Sequence, residues 1–190
     1  MRRLILNGAR KVFLEKGYEL ASIRTIADEI NYSPSSIYFY FKEKGEIFQE
    51  LHEEGFRLLF SKMQVLQHVA DPYERLKAMG GVFVDFAVHN KDYYNLMFIV
   101  DEPLKKKMAP ELASQRNRAL NQLIEVVKEC IAAGKFTGLN AENLSFMILS
   151  TLHGMSALFC KDRTSTYTDR TSEQLVKDGY QTLNAVLDKL

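Results

Sequence analysis

The sequence predicts an all-α protein of about nine helices, a three-helix amino-terminal domain followed by a helical bundle. Three observations predict it. Proline is scarce, four in 190 residues, which disfavours a turn-rich β sandwich. Apolar residues recur three and four apart in segment after segment. Serine, aspartate, proline and glycine stand where such segments would start and stop. A content of 46% hydrophobic and 26% charged residues is that of a chain able to bury a core.

The first helix covers residues 2 to 16, with Leu4, Ile5, Ala9, Val12 and Phe13 at helical spacing and Gly17 as its stop. Ser22 caps a second, short helix whose Ile23, Ile26, Ala27 and Ile30 form one apolar stripe ending near Asn31 and Tyr32. Ser33 then stands at an N-cap with Pro34 at the first helical position, where a missing N–H costs nothing, and a third helix runs to about Phe41. Two short helices joined by a tight turn and braced by a preceding helix form a helix-turn-helix, whose second member enters a DNA major groove.

That arrangement accounts for the composition of "NYSPSSIYFYF", residues 31 to 41, with five aromatic rings and three serines. Ile37 and Phe41 lie four apart and face the core. Ser35, Ser36, Tyr38 and Tyr40 include outward positions, where small hydroxyls allow close approach to base edges and phenols reach phosphates. Residues 1 to 45 carry 8 basic and 5 acidic side chains against 17 and 19 in the remainder, so only this part leans basic.

The stretch "ARKVFLEKGYELASIRTIADEINYSPSSIYFYFKEKGEIF", residues 9 to 48, resembles the DNA-binding domain of the TetR family of bacterial transcriptional regulators. The resemblance rests jointly on Phe13, Gly17-Tyr18, Ile26-Ala27, the aromatic run Tyr38 to Phe41, and Lys44. It implies that Ser22 and Arg24 touch phosphate with a base in reach, that Pro34, Ser35, Ser36 and Phe39 lie along the groove, and that Tyr38 and Lys44 hold phosphates. Ser35 stands where family members often have glycine, and Gly45 where they often have a charged or polar residue. Plainer roles compete: Phe39 and Tyr40 would brace the small domain, and Arg24 would pair with Asp28 one turn on, worth a few tenths of a kcal/mol.

With the DNA-binding domain at 1–45, residues 46–190 form the second domain. Ile47, Leu51, Leu58 and Leu66 mark a long fourth helix. Asp71-Pro72 opens a fifth, carrying Leu76, Met79, Phe83, Phe86 and Ala87 on one side and Gly80-Gly81 inside, each glycine costing roughly 1 kcal/mol and implying close helix packing ahead of room for a ligand. Residues 92 to 99 make a sixth. Residues 110 to 133 make a seventh, with Leu112, Leu120, Leu123, Val127 and Ile131 inward, ended by Gly134. Lys105-Lys106-Lys107 between them is a solvated connector.

The eighth helix, about 141 to 161, runs Phe146-Met147-Ile148-Leu149 and is apolar all round, so it needs cover on every side. Ser150, Gly154 and Ala157 admit a second helix closely. The last helix repeats Val176, Tyr180, Leu183, Leu187 and Leu190 at coiled-coil spacing. Together they predict a homodimer through a four-helix interface, as the resemblance also implies and a two-fold operator requires.

The resemblance further implies a small-molecule effector pocket in this second domain, with Phe83, Phe86, Tyr93, Tyr94, Met97, Phe98, Leu123, Met147, Thr151 and Met155 as its candidate wall. Each residue alone reads equally as core; as a group, phenol tips among apolar side chains suit a hydrophobic or aromatic ligand. His153 contacts ligand or partner, or is a satisfied interior histidine.

The expected activity is that of a ligand-responsive regulator, chiefly a repressor released from double-stranded DNA. The alternatives are an activator without an induction role and a helical small-molecule carrier. No nucleophile, base and orienting group share a motif and no glycine-rich phosphate loop occurs, so neither an enzyme nor a cofactor is expected. His52, His68 and His89 form no HxxxH or His/Cys cluster, and no metal is expected. No apolar run reaches the roughly 18 residues of a membrane span and no secretory signal pattern opens the chain, so a cytoplasmic protein with no membrane partner is expected. Cys130 and Cys160 lack a CxxC partner and read as reduced thiols in or near the core.

Overall fold

In the computed structural model the described residues, 1–100, 110–167 and 169–190, are helical with short connections, and no strand occurs among them. They divide into two compact units: Met1–Leu58 with a stretch beginning at Asp92, and Leu59–Lys91 with Pro110–Leu190.

In the first unit, α1 (Arg2–Leu20) buries Ile5, Leu6, Ala9, Val12 and Phe13. Leu4, expected inward, is 41% exposed because Ile5 and Leu6 take the core-facing edge of the stripe. The helical run breaks at Gly17, whose φ of 74° is open to glycine at little cost; the stop read from the sequence is this kink, with one more helical turn beyond it. Helix α2 (Ile23–Glu29) starts with a capping box in which Ser22 Oγ accepts from Thr25 N–H and Thr25 Oγ1 accepts from Ser22 N–H. Asn31, at φ 57°, turns the chain into α3 (Pro34–Tyr38), where Ser33 Oγ accepts from Ser36 N–H. This helix is shorter than the expected run to Phe41. The N–H groups of Tyr40 and Phe41 both converge on Ile37 O, closing the last turn early while Ile37 and Phe41 stay buried.

Helix α4 (Lys44–Gln64) follows, its entry held by Glu46 Oε2, which accepts from Lys42 N–H at 2.7 Å. Ile47, Phe48 and Leu51 close the core of α1 to α3. A further helix of this unit, labelled in chain order, is α6 (Lys91–Phe98). His52, buried on α4, donates from Nε2 to Leu96 O at 2.6 Å.

In the second unit, a 3₁₀ turn (Val65–His68) leads to α5 (Pro72–His89), whose cap Asp71 accepts from the N–H groups of Tyr73 and Glu74. Helices α7 (Pro110–Ala132), α8 (Ala141–Cys160) and α9 (Ser172–Leu187) pack on α5. Gly80 and Gly81 lie under the ring of Tyr180 from α9, so the glycine pair serves close packing: a Cβ at Gly80 would sit 2.9 Å from Tyr180 Cε2. Leu123 and Val127 of α7 are buried; Leu120 is 40% exposed, at the edge of the stripe. The side chain of Leu112 and the run Lys105-Lys106-Lys107 lie outside the described residues.

Over its most apolar window α8 has a mean hydropathy of 1.3, enough by length and composition to cross a bilayer. This differs from the expectation that no segment is long and apolar enough, because α8 keeps that average although Ser, Thr, His and Gly interrupt its apolar residues. One face is buried through Leu144, Ile148, Leu152, Ser156 and Cys160, and Cys160 Sγ donates to Ala87 O of α5. The other leaves Phe146 72%, Met147 47% and Leu158 47% exposed. The expected cover on every side is therefore not supplied by the described residues. On α9, Val176 and Leu187 are buried; Leu190, expected to continue the repeat, lies beyond the end of the helix and is exposed.

Candidate nucleic-acid interface

The surface of the first unit around α2 and α3 gathers most of the residues expected to meet DNA. Ile37 and Phe41 are anchored in the core, so the intervening Tyr38, Phe39 and Tyr40 turn outward, exposed by 57%, 84% and 40%. Phe39 and Tyr40 meet edge to face, 5.3 Å between centroids. An apolar ring as bare as that of Phe39 forfeits its burial energy in water, and the exposed phenols of Tyr38 and Tyr40 flank it. The buried side chains in this stretch are Ile37 and Phe41.

The hydroxyls stand at the start of α3, where Ser33 and Ser36 Oγ are 3.0 Å apart and Ser35 is exposed. Pro34, at the first helical position, is half-buried. The N-terminal turn of α3 thus offers small groups over which a duplex edge can approach. On α2, the Ser22 hydroxyl oxygen accepts within its capping box, and Arg24 is exposed with no ion pair among the described residues, so the competing pair with Asp28 is not formed. Its guanidinium is available for phosphate or a guanine edge. Arg3 and Lys42, which the sequence reading did not single out, are further exposed cations of the unit.

Lys44 differs from its expected place. Its ammonium donates to Tyr18 O at 2.8 Å, Ala21 O at 2.9 Å and Glu19 O at 3.2 Å, and lies 4.5 Å above the Tyr18 ring. Nothing local in the sequence signalled these partners, which are more than twenty positions upstream.

The candidate effector wall is divided between the units. In the first, Tyr94 is fully buried, Met97 fits against Gly55, and Phe98 meets Tyr94 and Phe56 at 5.1 and 5.9 Å. Tyr93 lies beneath the Arg10 guanidinium at 5.2 Å, and burial followed by a bond to Glu54 pushes its phenol pKa up. In the second, Phe86 and Leu123 are core, Phe83 meets the ring of His153 at 4.8 Å, Thr151 Oγ1 donates to Met147 O of its own helix, and Met155 Sδ lies close to Gly179. Met147 is on the bare face of α8. A cavity between α5, α8 and α9, lined by Leu76, Gly80, Ile148, Leu152, Tyr180 and Leu183, measures about 10 Å³, room for roughly one water.

A family model described as "Bacterial regulatory proteins, tetR family" matches residues 5–51, and one described as "Tetracyclin repressor-like, C-terminal domain" matches residues 76–180. The HTH-type transcriptional activator FasR of Mycolicibacterium smegmatis is 29% identical over 132 residues, 69% of this chain and 58% of that protein. The HTH-type transcriptional repressor KstR2 of the same species is 24% identical over 137 residues, 70% of this chain and 65% of that protein. The matched stretches thus span under two thirds of these relatives' own lengths. Among solved structures, the ketosteroid transcriptional regulator KstR2 of Mycobacterium tuberculosis superposes with a TM-score of 0.79 at 20% identity, covering 99% of this chain and 93% of that one. The regulator FadR of Bacillus subtilis in complex with stearoyl-CoA gives 0.70 at 19% identity, covering 96% and 97%. At these identities the structural likeness shows the fold.

Proposed function

The chain belongs to the TetR family of bacterial regulatory proteins, and from that premise we propose that it is a ligand-responsive regulator that binds operator DNA as a homodimer and is released by a hydrophobic effector. The observation that carries the DNA reading is the bare sequence Tyr38-Phe39-Tyr40 held outward between buried Ile37 and Phe41, next to the serine-rich start of α3 and the unpaired Arg24. Phe39 and the Pro34 to Ser36 turn lie along the major groove; Arg24 and Tyr38 hold the backbone, and Ser22 keeps its capping bond while its hydroxyl hydrogen turns from Thr25 Oγ1 to a phosphate. A chromosomal target makes the cytoplasm the site of action.

Pairing of two copies through the bare faces of α8 and α9 covers Phe146, Met147, Leu158 and Val186. It also sets two recognition helices about 34 to 36 Å apart, one turn of duplex. The names of two structural neighbours, a ketosteroid regulator and a regulator holding stearoyl-CoA, support a steroid-like or fatty-acyl effector. An effector that favours another spacing weakens DNA binding by a coupling of about 1 to 3 kcal/mol, and DNA weakens effector binding equally. Repression is the sign proposed; FasR, an activator by name, supports the opposite sign as second reading, and a reporter with and without the protein separates them.

Mobility shift on duplex selected from random sequence tests the DNA reading. The protein is expected to retain a palindromic site with affinity falling steeply between 50 and 200 mM salt, as roughly one counterion leaves per phosphate contact. A folded protein that ignores every duplex at low salt ends the proposal.

A further inference from the structure

We propose that Lys44 is a positioning residue for DNA recognition, a strut that fixes the corner between α1 and α2 rather than a phosphate ligand; this rests on the DNA reading above. Lys44 is the first residue of α4, where a cation opposes the positive end of its own helix. It reaches instead to the end of α1, where backbone carbonyls are left without helical partners and a cation is favoured. An ammonium has three donors and no acceptor. The carbonyls of Tyr18, Glu19 and Ala21 take all three, so a phosphate could be engaged only by giving one up.

The surroundings are shaped for the same purpose. The Gly17 kink, φ 74° and ψ 170°, redirects the chain, and Ala21 leaves the helix in an extended conformation. Tyr18 is fixed beneath the ammonium by Phe13, stacked at 5.8 Å, and Phe48, edge-on at 4.9 Å. Gly45, where a charged or polar residue is common in the resembling family, leaves space for the phenol: a Cβ there would stand 3.3 Å from Tyr18 Oη. The anchored Ala21 immediately precedes Ser22, whose capping box starts α2, and α2 leads through Asn31 into α3. Three bonds from one cation therefore set where the DNA-facing pair begins.

The test uses the full chain with Lys44→Met and Lys44→Arg, reading amide hydrogen exchange at residues 17 to 26 and affinity for the selected duplex across a salt series. Methionine removes charge and donors; arginine keeps a charge that suits phosphate, but its planar fork cannot converge on three carbonyls around one point. The strut requires that exchange at the corner rise in both variants, that both bind roughly tenfold more weakly, the equivalent of one charge-assisted bond's ordering, and that the slope of log affinity against log salt stay at the wild-type value. A phosphate contact requires the reverse: the methionine slope shallower by about 0.9, the arginine variant binding like wild type, and corner exchange unchanged. That pattern overturns the proposal. If Lys44→Met does not fold, Lys44→Arg alone decides, weak with a fast corner for the strut and tight with a slow corner against it. A wild-type protein that binds no duplex fails the DNA reading, and corner exchange still distinguishes a strut from a dispensable lysine.

Discussion

Gly8 on α1 shows how little slack a single position can have. A Cβ there would run into Cγ2 of Ile30, a β-branched side chain with few rotamers to retreat into. Gly8→Ala gains about 1 kcal/mol of helix propensity, and overpacking costs about 1 to 3 kcal/mol. The variant is expected to unfold at lower denaturant, with Ile30→Ala in the same chain restoring part of the loss; additive effects of the two changes would refute the clash. The thiols of Cys130 and Cys160 are buried, and burial raises both from an ordinary 9.0 to about 11. Neither is expected to react with a disulfide reagent at pH 8 until the protein unfolds. Caps at Ser22, Ser33 and Asp71 were legible in the sequence because cap chemistry acts within three residues. Lys44 was not, because its acceptors are brought to it only by folding.

At the scale of elements, spacing located α1 to α9, while the 3₁₀ turn that takes Leu66 out of the fourth helix, the ends of α3 and the outer faces depended on tertiary demands. Ile37 and Phe41 were readable as core by their separation of four, and this holds although the helix between them closes early. Their division of labour with Phe39 is testable. Phe39→Ala, at an 84% exposed site, is expected to change stability by less than about 0.5 kcal/mol while weakening operator binding. Ile37→Ala, at a site with 0% exposure, should cost about 2 to 5 kcal/mol. Urea unfolding and mobility shift of the two variants give the comparison; a large stability loss from Phe39→Ala would mean that its ring braces the fold. Among the candidate effector residues, an alternation of tyrosine, methionine and phenylalanine fits core and pocket alike, and periodicity could not assign Tyr93 and Tyr94 to the unit that holds α1.

For the molecule as a whole, a division after residue 45 follows the end of the helix-turn-helix motif, whereas the compact unit runs to Leu58 and takes in α6. Long-range contacts draw that boundary: His52 to Leu96 O, and Met97 against Gly55. Alkaline conditions act on the whole chain. Folded thiols, the buried phenol of Tyr73 and the half-buried phenol of Tyr180 hold their protons beyond the pH at which unfolded ones release them. The thiols' share of stability is whole below pH 9 and drains away toward pH 11, so the melting temperature is expected to fall across that window, and to fall less in a Cys130→Ala, Cys160→Ala chain. Phe146→Glu, on the bare face of α8, is expected to leave the helical fold intact and yield monomer by light scattering with loss of operator binding.

The proposed pairing over the bare ring of Phe146 carries a dose law. Where two copies must meet before either can grip its site, occupancy follows the square of abundance at low expression, so halving the number of chains in a cell cuts promoter coverage about fourfold and turns modest changes in synthesis into steep changes in output.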